Sequence, residues 1–224
     1  AIRGDELRVG MYVPINQRIN SFKNNSYFDI SKYFPKTEYI YGSEVEKARQ
    51  CKIKQNKNGN RNWFTNFNGK NFTVPYKRGD TLGAYFNGRN KKVYKENCIY
   101  SCTGNVSSNT EFPEKLILDE LSGFFFGAYL AEGCATEMYI SIANYNKIYL
   151  DKIKLFADRL NIGTHRQKTK QKNDTIRETD IRLHSKLLST LIGKICGIGS
   201  SNKYIPEFAF DSDITFVKGL LDGY

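Results

Sequence analysis

The sequence lacks the long apolar run that a membrane-spanning helix requires. Such a helix needs roughly 18 or more consecutive apolar residues, whereas the densest apolar stretch here, Phe124–Ala131, contains eight residues. The opening also lacks the apolar segment of a secretory signal, because charged residues interrupt it from Arg3 to Arg8. We therefore expect neither a membrane partner nor a secretion signal.

Histidines and paired cysteines, the usual ligands of structural zinc, are scarce as well. The five cysteines are an odd number, which suits reduced thiols and hence an intracellular location, cytoplasmic or nuclear. Cys98 and Cys102 have the spacing of half a zinc site, but no second cysteine pair completes four ligands. His165 and His184 lie far along the chain and are better explained as strand residues than as metal ligands.

Acidic residues are sparse in one part of the chain. Residues 18–96 contain 17 Lys or Arg and 6 Asp or Glu, whereas the other residues contain 17 of each kind. The whole formal net charge of +11 therefore arises in this stretch. Such an excess favours a polyanionic partner, although ribosomal, membrane-surface and heparin-binding proteins share it.

The first 16 residues have the pattern of a β-strand, because apolar residues alternate with others from Val9 to Ile15. Residues 17–110 are rich in Asn, Lys and aromatics and predict a basic β-rich segment that ends in the small polar linker Ser101–Thr110. Its Asn-Gly pairs at 58–59, 68–69 and 87–88 favour hairpin turns.

The mixture of aromatic and basic residues within 17–110 has two interpretations. It is typical of an auxiliary surface that contacts DNA, where bases stack on rings and cations follow phosphates. The alternative is the solvated face of an ordinary β domain. Composition alone leaves both open.

Residues 111–224 predict an α+β domain. The apolar periodicity gives a helix after Asp119, a strand at Glu137–Asn144, a helix at Tyr145–Leu160, two strands at His165–Gln171 and Thr175–His184, a helix at Ser185–Ile195 and a last helix from Asp213. This order is a helix-and-strand unit that begins to repeat.

The first and last of these helices carry the same glycine-rich motif. Residues Phe125–Gly133 read FFGAYLAEG, and residues Phe216–Tyr224 read FVKGLLDGY. Each helix has two glycines four residues apart, namely Gly123 and Gly127 in the first and Gly219 and Gly223 in the second. The glycines of one helix share a face, so we expect the two helices to pack along these faces in backbone contact.

These motifs resemble those of the intein-borne LAGLIDADG, or DOD-type, homing endonucleases, which hydrolyse double-stranded DNA at specific sites. The resemblance implies a fold of αββ-type half-units with the Gly-rich helices at a pseudo-twofold axis. It also implies that acids at the ends of these helices bind Mg²⁺ against the scissile phosphates. Here the acids are Glu132 and either Asp222 or a further acid beyond it.

In this family a two-stranded ribbon lies in the major groove of the DNA. Every second residue from Arg166 to Lys172 is a cation, and a strand has a period of two, so these cations lie on one face of the predicted ribbon. We expect Tyr139 and Ser141 to share that face. We expect Met138, Ile140 and Ile142 to lie on the opposite face. The alternative is a solvated edge strand. The expected DNA contacts are Tyr139, Ser141, Arg166, Lys168, Lys170, Lys172, Arg177 and Arg182.

The opening RGDELRVGMYVPI resembles the segment after the second splicing block of inteins, which makes residues 1–16 the remnant of a β-rich, Hint-type splicing domain. Splicing needs a Cys or Ser at the first residue, a Thr-x-x-His block and a terminal His-Asn, and none occurs in this sequence. We therefore expect a fragment that neither splices nor cuts by itself, with 111–224 as an endonuclease domain truncated in its second repeat.

The partners that the resemblance implies are the host protein in cis and the intein-less host allele as the DNA target. Related inteins often interrupt nucleic-acid polymerases and replication proteins, but the sequence does not identify the host. Two alternatives remain open: a cleavage-inactive, maturase-like DNA- or RNA-binding relative, and a basic RNA-binding protein with a chance motif.

Overall fold

A computed structural model of the chain describes residues 24–36, 39–44, 52–55, 61–67, 70–75, 97–101, 111–170 and 176–224. Helices and sheets both contribute, as the sequence predicts for an α+β protein. The described helices are too short and too polar to cross a membrane. The predicted strand at 1–16 and the Asn-Gly pair at 87–88 lie outside the described residues.

Four α-helices and twelve strands are described. The helices are α1 (Glu120–Glu132), α2 (Lys147–Arg159), α3 (Lys186–Ile195) and α4 (Ile214–Gly223). The strands are β1 (Tyr27–Asp29), β2 (Tyr39–Tyr41), β3 (Lys52–Gln55), β4 (Arg61–Phe67), β5 (Lys70–Pro75), β6 (Cys98–Ser101), β7 (Glu111–Pro113), β8 (Lys115–Ile117), β9 (Gly133–Ala135), β10 (Ile140–Ala143), β11 (Gly163–Lys170) and β12 (Ile176–His184).

Short polar residues begin all four helices. Their side chains accept hydrogen bonds from backbone amides of the first turn, and they are Asp119, Asn146, Ser185 and Asp213. Asp119 and Ser122 form a reciprocal capping box with two hydrogen bonds of 3.0 Å. The predicted helix starts at Asp119 and Asp213 are therefore confirmed.

The sheet that carries the site has four antiparallel strands in the order β11-β12-β10-β9. The strand expected at Glu137–Asn144 is present as the shorter β10, and a turn in which Thr136 and Tyr139 hydrogen-bond to each other joins it to β9, which was not predicted. This turn leaves Met138 outside the strands and 60% exposed, so the prediction that it faces the core is wrong.

Helices cover one face of this sheet. Ile140 and Ile142 are buried there, as predicted, together with Ile181 and Leu183 of β12. They join a single apolar core with the inner faces of α1, α2 and α3. The opposite face of the sheet carries polar side chains and is the one available to a ligand.

The core continues across the predicted linker at 101–110. β1 pairs with β8, and β6 pairs with both β2 and β7. Phe28 and Phe34, from the segment before the linker, are buried in the same apolar cluster as α1. Residues 24–36, 39–44 and 97–101 are thus a structural part of the helical domain.

The Asn-Gly signal had two different outcomes among the described strands. Phe67 pairs with Lys70, so β4 and β5 are joined through the two residues of the pair at 68–69, as predicted. Gln55 pairs with Arg61, which leaves five residues between β3 and β4 around the pair at 58–59. The pair at 58–59 itself lies outside the described residues.

Candidate active site and nucleic-acid interface

The glycine faces of α1 and α4 lie in direct backbone contact. A Cβ atom added at Gly123 would lie 2.0 Å from the carbonyl oxygen of Phe216, and one at Gly127 would lie 2.0 Å from that of Leu220. No side chain fits at these distances, because real Cβ atoms essentially never approach within 3.0 Å of another heavy atom. The predicted packing of the two helices is confirmed.

The contact is reciprocal, as a pseudo-twofold axis requires. A Cβ at Gly219 would meet the carbonyl oxygen of Glu120 at 2.0 Å, and one at Gly223 would meet that of Phe124 at 2.1 Å. Each glycine of α4 is 96 residues after its counterpart in α1. The same offset relates the residues that they touch, so α1 and α4 are equivalent halves of one interface.

This equivalence bears on the two acids expected to bind metal. Glu132 is the last residue of α1, whereas Asp222 lies in the last turn of α4 before Gly223. With an offset of 96, Asp222 corresponds to Phe126 and not to Glu132. Asp222 and Glu132 therefore do not occupy equivalent positions in the two paired helices.

Glu132 stands at the junction of α1 and β9, where its side chain is exposed. It borders a depression formed by the end of β10, the following loop and β12, with Ala143, Asn144, Tyr145, Asn146 and Thr179 in its lining. Asn144 and Thr179 are joined by a backbone hydrogen bond of 3.2 Å. The carboxylate therefore lies where the helix pair meets the polar face of the sheet.

A lysine that sequence reasoning missed lies beside this acid. The Nζ atom of Lys203 donates hydrogen bonds to the carbonyl oxygens of Tyr129 (2.8 Å) and Leu130 (3.2 Å), at the carboxyl end of α1. Burial lowers the pKa of Lys203, and the charges of Cys134 and Glu132 act in the opposite direction. The residue precedes a loop proline and belongs to no periodic element, so no pattern marked it.

Tyr149 of α2 links the two sides of the site. Its hydroxyl donates a hydrogen bond to the carbonyl oxygen of Gly223 at the end of α4. Burial, followed by the negative charge of Glu132, raises the pKa of Tyr149 to about 12. The phenol therefore stays protonated at neutral pH and acts as a fixed donor near Glu132.

The outward face of the sheet carries a connected set of polar side chains. Direct pairing aligns Ser141 of β10 with Arg182 of β12, and Arg182 with His165 of β11. Directly paired residues of antiparallel strands point to the same face. The guanidinium of Arg182 lies 5.5 Å from the centre of the Tyr139 ring, so three of the predicted DNA contacts, Tyr139, Ser141 and Arg182, share this face.

Arg166 does not lie on that face. It pairs with Ile181, which is fully buried on the helix side of the sheet. Its guanidinium forms ion pairs with Asp151 of α2 at 2.5 Å and with Glu178 at 2.7 Å. The prediction that the cations from Arg166 onwards share one face with Tyr139 and Ser141 is therefore wrong.

The pairing of β11 with β12 changes register between Gln167 and Lys168, and the other predicted cations lie beyond this point or near it. Gln167 pairs with Asp180 and Lys168 pairs with Glu178, so one residue of β12, Thr179, bulges out of the ladder. Alternation along β11 places Lys168 on the same face as Arg166, and its side chain is exposed. Lys170 and Arg177 lie in the strands but their side chains are not described, and Lys172 lies outside the described residues.

The structure describes no cluster of three or more His, Cys, Asp or Glu side chains that could enclose a metal ion by themselves. Mg²⁺ does not require one, because it is often held by one or two carboxylates, waters and the phosphates of a substrate. An exposed Glu132 fits that mode of binding. The predicted partner ligand Asp222 is exposed as well, on the last turn of α4.

Comparison with known proteins agrees with the helix geometry. Residues 119–196 match the family model of a LAGLIDADG-like domain. The chain is 38% identical over 112 residues to the DNA-directed RNA polymerase subunit Rpo1C of Methanocaldococcus jannaschii, and 27% identical over 112 residues to a subunit of DNA gyrase from Mycobacterium gordonae. These matches cover 50% and 47% of this chain but 13% and 20% of the two relatives, so the chain spans a fifth or less of their length.

Proposed function

We propose that this chain is part of a homing endonuclease that hydrolyses double-stranded DNA with Mg²⁺. Its residues 119–196 match a LAGLIDADG-like domain, of the kind that inteins carry. The observation that carries the proposal is the reciprocal glycine contact between α1 and α4. This contact fixes the end of α1, and with it Glu132, beside the polar face of the four-stranded sheet.

The charge distribution supports DNA as the substrate. The formal net charge of +11 attracts a polyanion over long range, and a two-stranded ribbon or sheet edge fits the major groove. Arg182, Ser141 and Tyr139 lie on the outward face of the sheet, and Glu132 borders a depression that Ala143 of β10 and Thr179 of β12 also line. We infer that a duplex on this face would reach Glu132.

The chemistry assigned to the chain's own residues is limited to three roles. Glu132 supplies the carboxylate that holds Mg²⁺, which when bound activates water and stabilises the leaving oxygen. Lys203 offsets the partial negative charge at the carboxyl end of α1, where an acid is otherwise disfavoured. Tyr149 fixes the neighbouring end of α4 through its hydrogen bond to Gly223.

The pattern of relatives supports an insertion into a host protein. About half of this chain matches small parts of two proteins with different names, one from an RNA polymerase and one from a gyrase. A self-contained unit that inserts into unrelated hosts would produce such a pattern. We therefore propose that the parent protein also splices, with residues 1–16 as part of its splicing domain and 17–110 as an auxiliary region that contacts DNA.

The test compares Glu132→Gln with wild type in the longest natural polypeptide that contains this chain. Plasmids carrying the intein-less host allele are assayed for double-strand cleavage in Mg²⁺, and duplex binding is measured in Ca²⁺. We expect Glu132→Gln to stop cleavage of at least one strand and to bind as tightly as wild type or slightly more tightly, because the substitution removes a negative charge near phosphate.

Glu137→Gln is the matched control, because Glu137 is an exposed glutamate of the nearby turn that pairs with Lys186 on the surface. It should cut like wild type. Unchanged cleavage by Glu132→Gln would overturn the catalytic assignment. Duplex binding by the wild-type protein without any cleavage would instead identify a maturase-like binding protein.

A further inference from the structure

Arg182 is held in one orientation by three neighbours on the outward face of the sheet. Its Nη2 atom donates to Oε1 of Gln167 at 2.5 Å, and its Nε atom lies 3.5 Å from Oδ2 of Asp180. Its guanidinium stacks near the ring of Tyr139. The Nε atom is buried without a hydrogen-bond partner among the described residues, so Asp180 holds it by charge alone.

Asp180 is itself fixed. Its carboxylate accepts hydrogen bonds from the Ser141 hydroxyl (3.1 Å) and from the backbone N–H of Gln167 (3.2 Å), and its side chain is only 13% exposed. Arg182 is more open, with 36% of its side chain exposed. The acid thus serves as a buried support, and the guanidinium is the group that a ligand meets.

The hydrogen-bonding groups that Arg182 and Gln167 leave free for a ligand are mainly donors. A guanidinium can only donate, so Gln167 must present its oxygen to Arg182 and turn its amide –NH₂ away. Nη1 of Arg182 has no hydrogen-bond partner in the part of the chain that the structure describes. Arg182 and Gln167 together therefore present mainly donors, because the Gln167 oxygen, the one acceptor of the two side chains, already accepts from Arg182.

A surface that presents mainly donors matches one base edge of the major groove best. Guanine presents two adjacent acceptors, N7 and O6, whereas adenine and cytosine each present an amino donor there and thymine presents one acceptor beside a methyl group. A free glutamine would read adenine with its oxygen and its amide together, but the oxygen of Gln167 is turned towards Arg182. The arrangement therefore favours guanine over adenine and cytosine.

We propose that Arg182, oriented by Asp180, Gln167 and Tyr139, reads a guanine in the major groove of the DNA target. The proposal rests on the proposed function, because it needs a duplex on the outward face of the sheet. It goes further in naming a base and the residue that selects it.

The first experiment selects bound duplexes from a library with randomised central segments, in Ca²⁺, with the longest natural polypeptide that contains this chain and with its variants Arg182→Lys and Asp180→Asn. Wild type should enrich guanine at a fixed position. Arg182→Lys keeps the charge but loses the fork, so it should bind the pool almost as well and lose that enrichment. Asp180→Asn removes a negative charge and the support, so pool binding should hold or tighten while the guanine preference weakens.

The second experiment replaces the selected guanine by 7-deazaguanine, which removes the N7 acceptor and keeps base pairing. The affinity of wild type for the duplex should fall about ten- to hundredfold on this replacement, the range of one good bidentate contact. The affinity of Arg182→Lys should be nearly the same for the two duplexes. Lys154→Met is the control, because Lys154 is an exposed cation of α2 paired with Asp158. It should behave like wild type in both assays.

The outcomes separate the assignment of guanine to Arg182 from the proposed function. Sequence-selective binding without a guanine that depends on Arg182 would overturn the base assignment and leave the proposed function intact. No duplex binding by folded wild type would overturn the proposed function, and the base assignment with it. Unfolding midpoints of all variants identify any that fail to fold, and Asp180→Asn then replaces Arg182→Lys as the deciding variant.

Discussion

The carboxyl end of α1 is stabilised by a cation from a distant loop. The four last carbonyl oxygens of a helix have no partner within it, and here the Nζ atom of Lys203 bonds two of them. The same ammonium lies 4.9 Å from the centre of the Tyr129 ring. One side chain thus holds the helix end that carries Glu132.

We predict that Lys203→Met lowers the free energy of unfolding by about 1–2 kcal/mol, because two carbonyls lose a charged donor while the methylene packing is retained. Urea denaturation measures this directly. Lys186→Met is the control, since Lys186 pairs with the exposed Glu137 and its loss should cost less than about 0.5 kcal/mol. Equal losses for the two variants would show that the contacts of Lys203 are no stronger than a surface pair.

Among the elements, the contact between α1 and α4 tolerates no added atom. At Gly127 a Cβ would lie 2.0 Å from a backbone oxygen of α4, and a backbone cannot move aside as a side-chain tip can. Gly193 in α3 differs, because the atom that its Cβ would meet is the end of the Ile198 side chain at 2.9 Å. The two helical glycines therefore respond differently to the same substitution.

We predict that Gly127→Ala destabilises the fold by about 3 kcal/mol or more, since the helices must separate to admit the methyl group. Gly193→Ala should be neutral or stabilising by up to about 1 kcal/mol, because alanine is the better helix former and Ile198 can rotate. Thermal unfolding of both variants makes the comparison. A mild effect at Gly127 would contradict the close packing of the two helices.

The start of α1 gives a pH-dependent contribution to stability. Burial alone would raise the pKa of Asp119, but the hydrogen bond from the Ser122 amide and the guanidinium of Arg159 hold it below its usual value. A carboxyl whose pKa is lower in the folded state stabilises the fold above its unfolded pKa of about 4. That stability is lost as the pH falls through the folded value.

Asp119→Asn isolates this charge, because asparagine caps a helix about as well as aspartate. At pH 7 the variant should be less stable by a few tenths to about 1 kcal/mol, through loss of the ion pair with Arg159 and of an anion at the helix start. The difference should shrink as the pH falls through the folded pKa of this carboxyl and vanish once the carboxyl is protonated in both the folded and the unfolded state. Urea titrations at several pH values test this, and a difference that persists in acid would mean that asparagine distorts the cap.

Sequence patterns predicted the elements whose cause is local and periodic. The capped starts of α1 and α4 and the glycine faces that join them follow from residue types at fixed spacing. The face on which Arg166 lies could not be predicted in this way, because alternation along β11 fixes only that Arg166 and Lys168 share a face, and the pairing of Arg166 with the buried Ile181 decides which face that is. Lys203 was missed for a related reason, since a loop residue acquires its role only from the helix end that the fold places beside it.

For the whole molecule, the excess of Lys and Arg lies in residues 18–96, and this stretch either contacts bound DNA or attracts it only through net charge. Net charge attracts DNA from any direction, whereas a phosphate contact requires the cation to lie on the bound surface. The two effects separate in the salt dependence of binding. Each phosphate contact contributes about −0.9 to the slope of log affinity against log salt concentration.

Two pairs of lysines distinguish contact from attraction at equal net charge. Lys91 and Lys92 belong to the basic stretch 18–96 that we propose as an auxiliary DNA surface. Lys147 and Lys154 are exposed on α2, on the helix side of the sheet and away from its outward face. Replacing either pair by glutamine lowers the net charge from +11 to +9.

We predict that the Lys91→Gln, Lys92→Gln double variant reduces the magnitude of the salt slope by about one to two units and weakens binding to all duplexes alike, as lost phosphate contacts do. The Lys147→Gln, Lys154→Gln double variant should lower affinity slightly and leave the slope nearly unchanged, because long-range attraction is screened within about 10 Å at 0.1 M salt. Binding titrations over a range of salt concentrations test both. Equal slopes for the two variants would show that the basic stretch acts only through net charge, in which case the interpretation of 17–110 as an ordinary solvated β segment is the better one.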